Sequence, residues 1–194
     1  YEVNSYEIST YSEIKHMRSV FIPERKKLLL NPSLDDSQQA FIIAKEIGFN
    51  LLNLKERPHT LPLLKIGSFD SMLNNFKSSY FAGALQMNEH AIVADLEKIF
   101  SSTKWNEEQF LKLISKYTSS HETFMHRLTN ILPHHFNLNN LFFLRFDSKI
   151  GSDYFSLTKE LHLSRLHNPH GSDLEEHYCR RWVSIRVLKD IEKL

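Results

Sequence analysis

The run Phe41-Ile-Ile-Ala-Lys-Glu-Ile-Gly-Phe-Asn-Leu-Leu52 constrains this chain more than any other stretch. Phe41, Ile42, Ala44, Ile47, Gly48, Leu51 and Leu52 recur at i, i+3, i+4 and i+7, the broad apolar face of a buried helix. Asp35, Asp36 and Ser37 precede it and offer capping oxygens and negative charge at the positive end of the helix dipole. Lys45 and Phe49 stand four apart, so they are neighbours on one face, with Glu46 beside them.

The rest of the 194 residues suits one domain of ordinary size, or one domain with a small appendage. Five Gly and six Pro are few, and 14 Phe are many, which argues for a packed core over a loop-rich or disordered chain. Lys plus Arg (24) nearly balances Asp plus Glu (23), a poor footprint for a chain that grips phosphate backbone. One Cys excludes an internal disulfide framework and a Cys-rich zinc module, and fits a reducing, cytoplasmic setting. No apolar run nears the roughly 18 residues of a membrane span, and no signal peptide is legible. The chain opens on Tyr1, so a larger protein with a further domain is expected.

In chain order, Tyr1 to His16 shows weak helical periodicity. Val20 to Leu30 reads as two short strands across a turn near Pro23 to Lys26. Arg57-Pro58 through Pro62 is a loop. A second helix spans Ser68 to Met87, with Phe69, Met72, Leu73, Phe76, Tyr80, Phe81, Ala84 and Leu85 on one side. These Phe-rich stripes read as core. Further helices follow over Glu89–Phe100 and Trp105–Tyr117. Another begins at Ser119, which reaches toward Glu122 as a capping box, and ends near Pro133. Leu141 to Phe146 is an aromatic strand, Tyr154 to Leu157 its return, and Leu174 to Leu194 a terminal helix with Tyr178, Trp182, Ile185, Leu188 and Ile191 inside. The fold class is α+β: a mostly helical domain with a small antiparallel sheet over residues 1–135, then a strand-plus-helix segment over 136–194.

Several of these stretches together resemble the ImmA/IrrE family, the zincin-like peptidase domain of many bacterial regulators. Gln38-Gln-Ala-Phe-Ile-Ile-Ala44 leads into Lys45-Glu46-Ile47-Gly48-Phe49, where that family carries H-E-x-x-H. Phe76 to Met87 is similar to its next helix, and Tyr117 to Glu122 with His126-Arg-Leu-Thr129 to a later one. Leu141 to Asp147 resembles the region that follows this domain in XRE-type transcription regulators of the short-chain fatty-acyl group. The resemblance covers roughly residues 18 to 150.

The departures from the family pattern carry the functional expectation. The resemblance puts Lys45, Phe49 and Lys77 at the first His, second His and downstream Glu that hold zinc, and Glu46 at the general base. An ammonium group and a phenyl ring offer zinc no lone pair. A base without a metal-bound water to activate has no task. Two uses of Lys45 and Lys77 stand side by side: pairing with Glu46 or another carboxylate while the stems run to solvent, and binding an anion.

Two other clusters draw attention. His167, His170, His177 and Cys179 supply nitrogen and sulfur ligands, but residues two apart on a helix diverge by about 200°, so His177 and Cys179 share a metal only off a helix. Arg180, Arg181 and Trp182 combine guanidiniums for a carboxylate or phosphate with a ring for a planar group; the plain alternative is a core Trp beside arginines paired with Asp173, Glu175 and Glu176. Arg145, in the aromatic strand, is a second anion candidate or a solvated side chain. Gly48, Gly67, Gly83, Gly151 and Gly171 are scattered and form no phosphate loop.

The expectation is therefore a non-catalytic pseudo-peptidase. It acts as the ligand-sensing, self-associating part of a bacterial transcription regulator. It has no cofactor and no membrane contact. Its effector is anionic or acyl-CoA-like, and DNA is contacted only through an upstream helix-turn-helix outside this chain. The alternatives are a metal-dependent hydrolase built on the His167-to-Cys179 cluster and a purely structural oligomerisation module.

Overall fold

A computed structural model describes residues 2–57, 68–149, 155–162, 183–191 and 193. The chain divides into two compact units, Tyr1–Arg127 and Leu128–Leu194. The architecture is α+β, with six helices and small sheets of three and two strands among the described residues.

The first unit opens on three short strands, β1 (Glu2–Asn4), β2 (Ser19–Ile22) and β3 (Lys27–Leu30), in the order β1-β3-β2. The hairpin read from the sequence is present. A 3-10 turn at Pro23–Arg25 and a left-handed Lys26 (φ 49°) reverse the chain between β2 and β3. The weak helical reading of the first 16 residues is corrected: Glu2–Asn4 lies parallel to Lys27–Leu29, and only Glu7–Thr10 turns, as a 3-10 helix. Parallel pairing joins residues distant in sequence, so no local period announces it. The Asn4 side chain then stops the strand by accepting the N–H groups of Tyr6 and Glu7 at 3.0 and 2.8 Å. Lys27 bridges Glu2 and Glu7 across the start of the chain.

Helix α1 spans Asp36–Leu51, with Asp35 as its cap accepting the Gln38 N–H at 2.8 Å. Helix α2 (Phe69–Gln86) is capped by Ser68 and packs along α1. The packing is close: a Cβ at Gly48 would stand 3.0–3.2 Å from the Phe81 side chain. Such an approach needs small residues, and the buried positions of α2 are Ser78, Ala82 and Gly83. The Phe-rich stripes are thus corrected in part. Phe69, Met72 and Phe76 are 68, 40 and 45% exposed, as is Leu51 of α1 at 69%. Period 3.6 locates a stripe, but the partner chosen by α1 turned the small side of α2 inward.

Helix α3 (Glu89–Phe100) has the bounds read from the sequence and α4 (Glu107–Tyr117) starts two residues later than read; Asn88 and Asn106 cap them. Helix α5 (His121–Phe136) corrects two expectations. Its cap is Ser120, which accepts the Thr123 N–H at 3.2 Å, while Ser119 turns to donate to the Asp35 carboxylate at 3.0 and 3.1 Å. Pro133 does not stop the helix. Proline removes one N–H from the ladder, and that loss is tolerable a turn before the end. The helix closes instead at left-handed Asn137. Ile8, Leu29, Leu30, Met87, Ile92, Leu96 and Phe124 are among the fully buried side chains, each contributing about 1.5–3 kcal/mol by leaving water.

In the second unit, β4 (Phe142–Ser148) and β5 (Phe155–His162) pair antiparallel, with a register shift between Arg145 and Phe146. Helix α6 (Val183–Ile191) buries Ile185, and the Lys189 ammonium stands 5.7 Å over the Phe155 ring. The expected inner residues Tyr178 and Trp182 lie outside the described residues. No described helix is long and apolar enough to cross a membrane.

Candidate functional site

The strand register sets the floor of the candidate site. Val3 is paired with Leu28, and Leu28 with Phe21, so the three side chains form one row across β1, β3 and β2 on one face of the sheet. Glu46 of α1 is buried. A buried carboxylate is costly unless paired, and here it is paired twice over. Arg57 makes an ion pair with Oε2, and the Asn50 amide donates to Oε1 at 3.0 Å. Asn50 also donates to the Glu46 carbonyl at 2.7 Å.

Arg57 is itself held by rings. Its guanidinium carbon lies 4.1 Å from the centroid of Phe21 and 4.6 Å from that of Phe49, within the range of a cation–π contact. Phe49 is buried. A flat cation is thus bounded by two aromatic faces with a carboxylate at its edge. Arg57 belongs to no helix or strand and lies beyond left-handed Asn53, which ends α1.

Lys45 points to α2, where its ammonium donates to Asn75 Oδ1 at 2.5 Å. Lys77 lies two residues beyond Asn75 and is exposed. Two residues on a helix are about 200° apart, so Asn75 and Lys77 leave α2 in different directions. The structure therefore brings Glu46 and Phe49 together around Arg57, sets Lys45 against Asn75, and leaves Lys77 facing solvent.

On the Val3 side of the row a groove of about 450 Å³ opens, lined by Val3, Leu28, Ile43, Glu46, Ile47, Asn50 and Leu51. It is apolar apart from Glu46 and Asn50. The outward apolar residues of α1 line it, which explains the exposure of Ile47 and Leu51.

This donor set does not fit a zinc ion. Lys45 offers an ammonium, Phe49 a ring already covered by Arg57 and Lys77 an outward ammonium, and the Glu46 carboxylate is taken up by a guanidinium. Sequence reading missed Arg57, Phe21, Asn75 and Asn50. One signal could have pointed to the first: a glutamate kept among apolar residues demands a cation.

Arg145 is exposed on β4 and pairs with Asp147 at 3.3 Å, the solvated alternative read from sequence. Arg180, Arg181, Trp182, His167, His170, His177 and Cys179 lie outside the described residues.

The profile of the IrrE N-terminal-like domain, a metallopeptidase-like family, matches residues 6–129. Neither a search of curated proteins nor one of solved structures finds a match.

Proposed function

We propose that this chain, which belongs to the IrrE N-terminal-like domain family, is a member without peptidase chemistry that serves as the regulatory part of a transcription regulator. The single observation that carries this reading is the fate of Glu46. In a working site a general base must face a metal-bound water. Here its carboxylate is engaged by Arg57 and Asn50, and Phe49 supports the arginine.

A regulatory role needs surfaces that others can reach. Phe69, Met72 and Phe76 recur at i, i+3 and i+7 on α2 and are exposed, and contiguous exposed apolar residues mark interaction sites. We take this stripe as the self-association surface. The effector is anionic or acyl-CoA-like, with Arg180, Arg181 and Trp182 as its candidate residues, and DNA is read by a domain outside this chain.

Zinc content and cleavage of casein or a repressor substrate test the reading. The expected result is substoichiometric zinc and no cleavage above the Glu46→Gln variant. Stoichiometric zinc with proteolysis that disappears in Glu46→Gln overturns it. Zinc that is lost in His170→Ala and Cys179→Ala instead supports the hydrolase alternative. A thermal-shift screen with short acyl-CoAs tests the effector, because a ligand that binds only the native state raises the midpoint.

A further inference from the structure

The pairing that fills the cleft says what the cleft is shaped to hold. A compact ammonium ion needs donors directed at several acceptors, whereas a guanidinium is flat, weakly hydrated and able to stack while it donates from its edge. Phe21 and Phe49 lie 4.1 and 4.6 Å from one guanidinium carbon, and Glu46 takes the edge. Asn50 holds the second carboxylate oxygen, so the acceptor is oriented before any cation arrives. The cation comes from a segment outside helix and strand, residues 54–57, rather than from a framework element.

We propose that the cleft is a guanidinium receptor, filled in cis by Arg57, and that a peptide arginine competes for it in trans. Arg57 is then an internal ligand, and displacing it releases residues 54–57, which follow α1 outside helix and strand. The proposal rests on the reading that this cleft holds no metal, and zinc analysis of the same wild-type preparation tests that reading separately. A short tether gives the internal arginine an effective concentration in the millimolar range. The unmodified chain therefore binds an added arginine weakly, and removal of Arg57 uncovers the site.

The test is a calorimetric titration of Arg57→Ala with the tripeptides Gly-Arg-Gly and Gly-Lys-Gly, repeated on wild type and on Arg57→Ala/Glu46→Gln. The expected result is binding of the arginine peptide to Arg57→Ala about tenfold or more tighter than the lysine peptide, since only the guanidinium both stacks and donates in-plane. Wild type binds it correspondingly more weakly, and the double variant loses the preference. Equal affinity for both peptides, or equal binding by Arg57→Ala and the double variant, overturns the proposal. Should Arg57→Ala fail to fold, the readout is refolding in millimolar ethylguanidinium against ethylammonium, followed by far-UV circular dichroism. Recovery in ethylguanidinium alone supports the receptor; equal recovery in both, or none in either, overturns it.

Discussion

Two carboxylates of the first unit gather donors in the same way and are put to different use. Glu46 lies buried under Arg57 between two rings. Asp95 of α3 is half-buried but faces exposed lysines: it accepts from Lys116 at 2.5 Å, from the Tyr117 hydroxyl at 2.8 Å and from Lys98 at 3.1 Å. The count of partners favours Asp95, but solvent decides the energetics. Water and salt screen the lysines around Asp95, whose side chains are 72 and 58% exposed, far more than the 10 and 24% of Glu46 and Arg57. A surface network adjusts stability; a buried pair decides whether the site keeps its shape.

The largest expected effect breaks the buried pair. Arg57→Ala leaves Glu46 without its cation and lowers unfolding free energy by roughly 3–5 kcal/mol, read by urea denaturation. Glu46→Gln/Arg57→Met removes both charges and recovers most of that loss. A double variant no more stable than Arg57→Ala would show that the rings, not the ion pair, hold the site.

Next comes the helix contact that positions the pair. Gly48→Ala pushes a methyl group to within 3.0–3.2 Å of Phe81 and costs about 1–3 kcal/mol by overpacking. Adding Phe81→Leu relieves part of it. An unchanged denaturation midpoint in Gly48→Ala would mean that α1 and α2 stand further apart.

Asp95→Asn costs about 1–2 kcal/mol at neutral pH, and its pH dependence sharpens the contrast. The Lys116 ammonium, then the Tyr117 hydroxyl and Lys98, hold the Asp95 carboxyl well below the usual carboxylate range. A carboxyl whose folded pKa is depressed stabilises the fold at pH values above its ordinary value of about 4, and loses that contribution as pH falls from there through the folded value. The gap between wild type and Asp95→Asn is therefore constant near pH 6–7, narrows below about pH 4 and closes in strong acid. A gap that stays constant down to pH 2 would assign the effect of Asp95→Asn to packing.

The smallest effect belongs to Lys98→Ala. Its side chain is 72% exposed beside Asp95, so the midpoint moves little and molar salt removes what remains. A larger shift there than for Asp95→Asn would reverse the ranking of the two regions.

Much of the framework was legible before any coordinates. Asp35, one of the capping candidates read from the sequence, caps α1 because short polar side chains before an apolar period have one dominant use. Where two serines stood together, local rules chose Ser119, yet the fold placed Ser120 at the cap because Asp35 from another helix claimed Ser119. Strand β1 escaped because its partner lies beyond a hairpin it does not touch in sequence. In the candidate site, a glutamate among apolar residues signalled that a cation was needed, but not which one would reach it. Arg57 sits in a loop with no period, eleven residues from Glu46, and only the turn after Asn53 brings it back.

The order of residues by itself determined the helices, the hairpin and the absence of metal donors at Lys45, Phe49 and Lys77, since caps, periods and ligand chemistry act over a few positions. Tertiary structure alone decided which face of α2 was turned inward, which serine became the cap and which cation reached Glu46. Those outcomes depend on distances between segments, and distance between segments is a property of the packed chain.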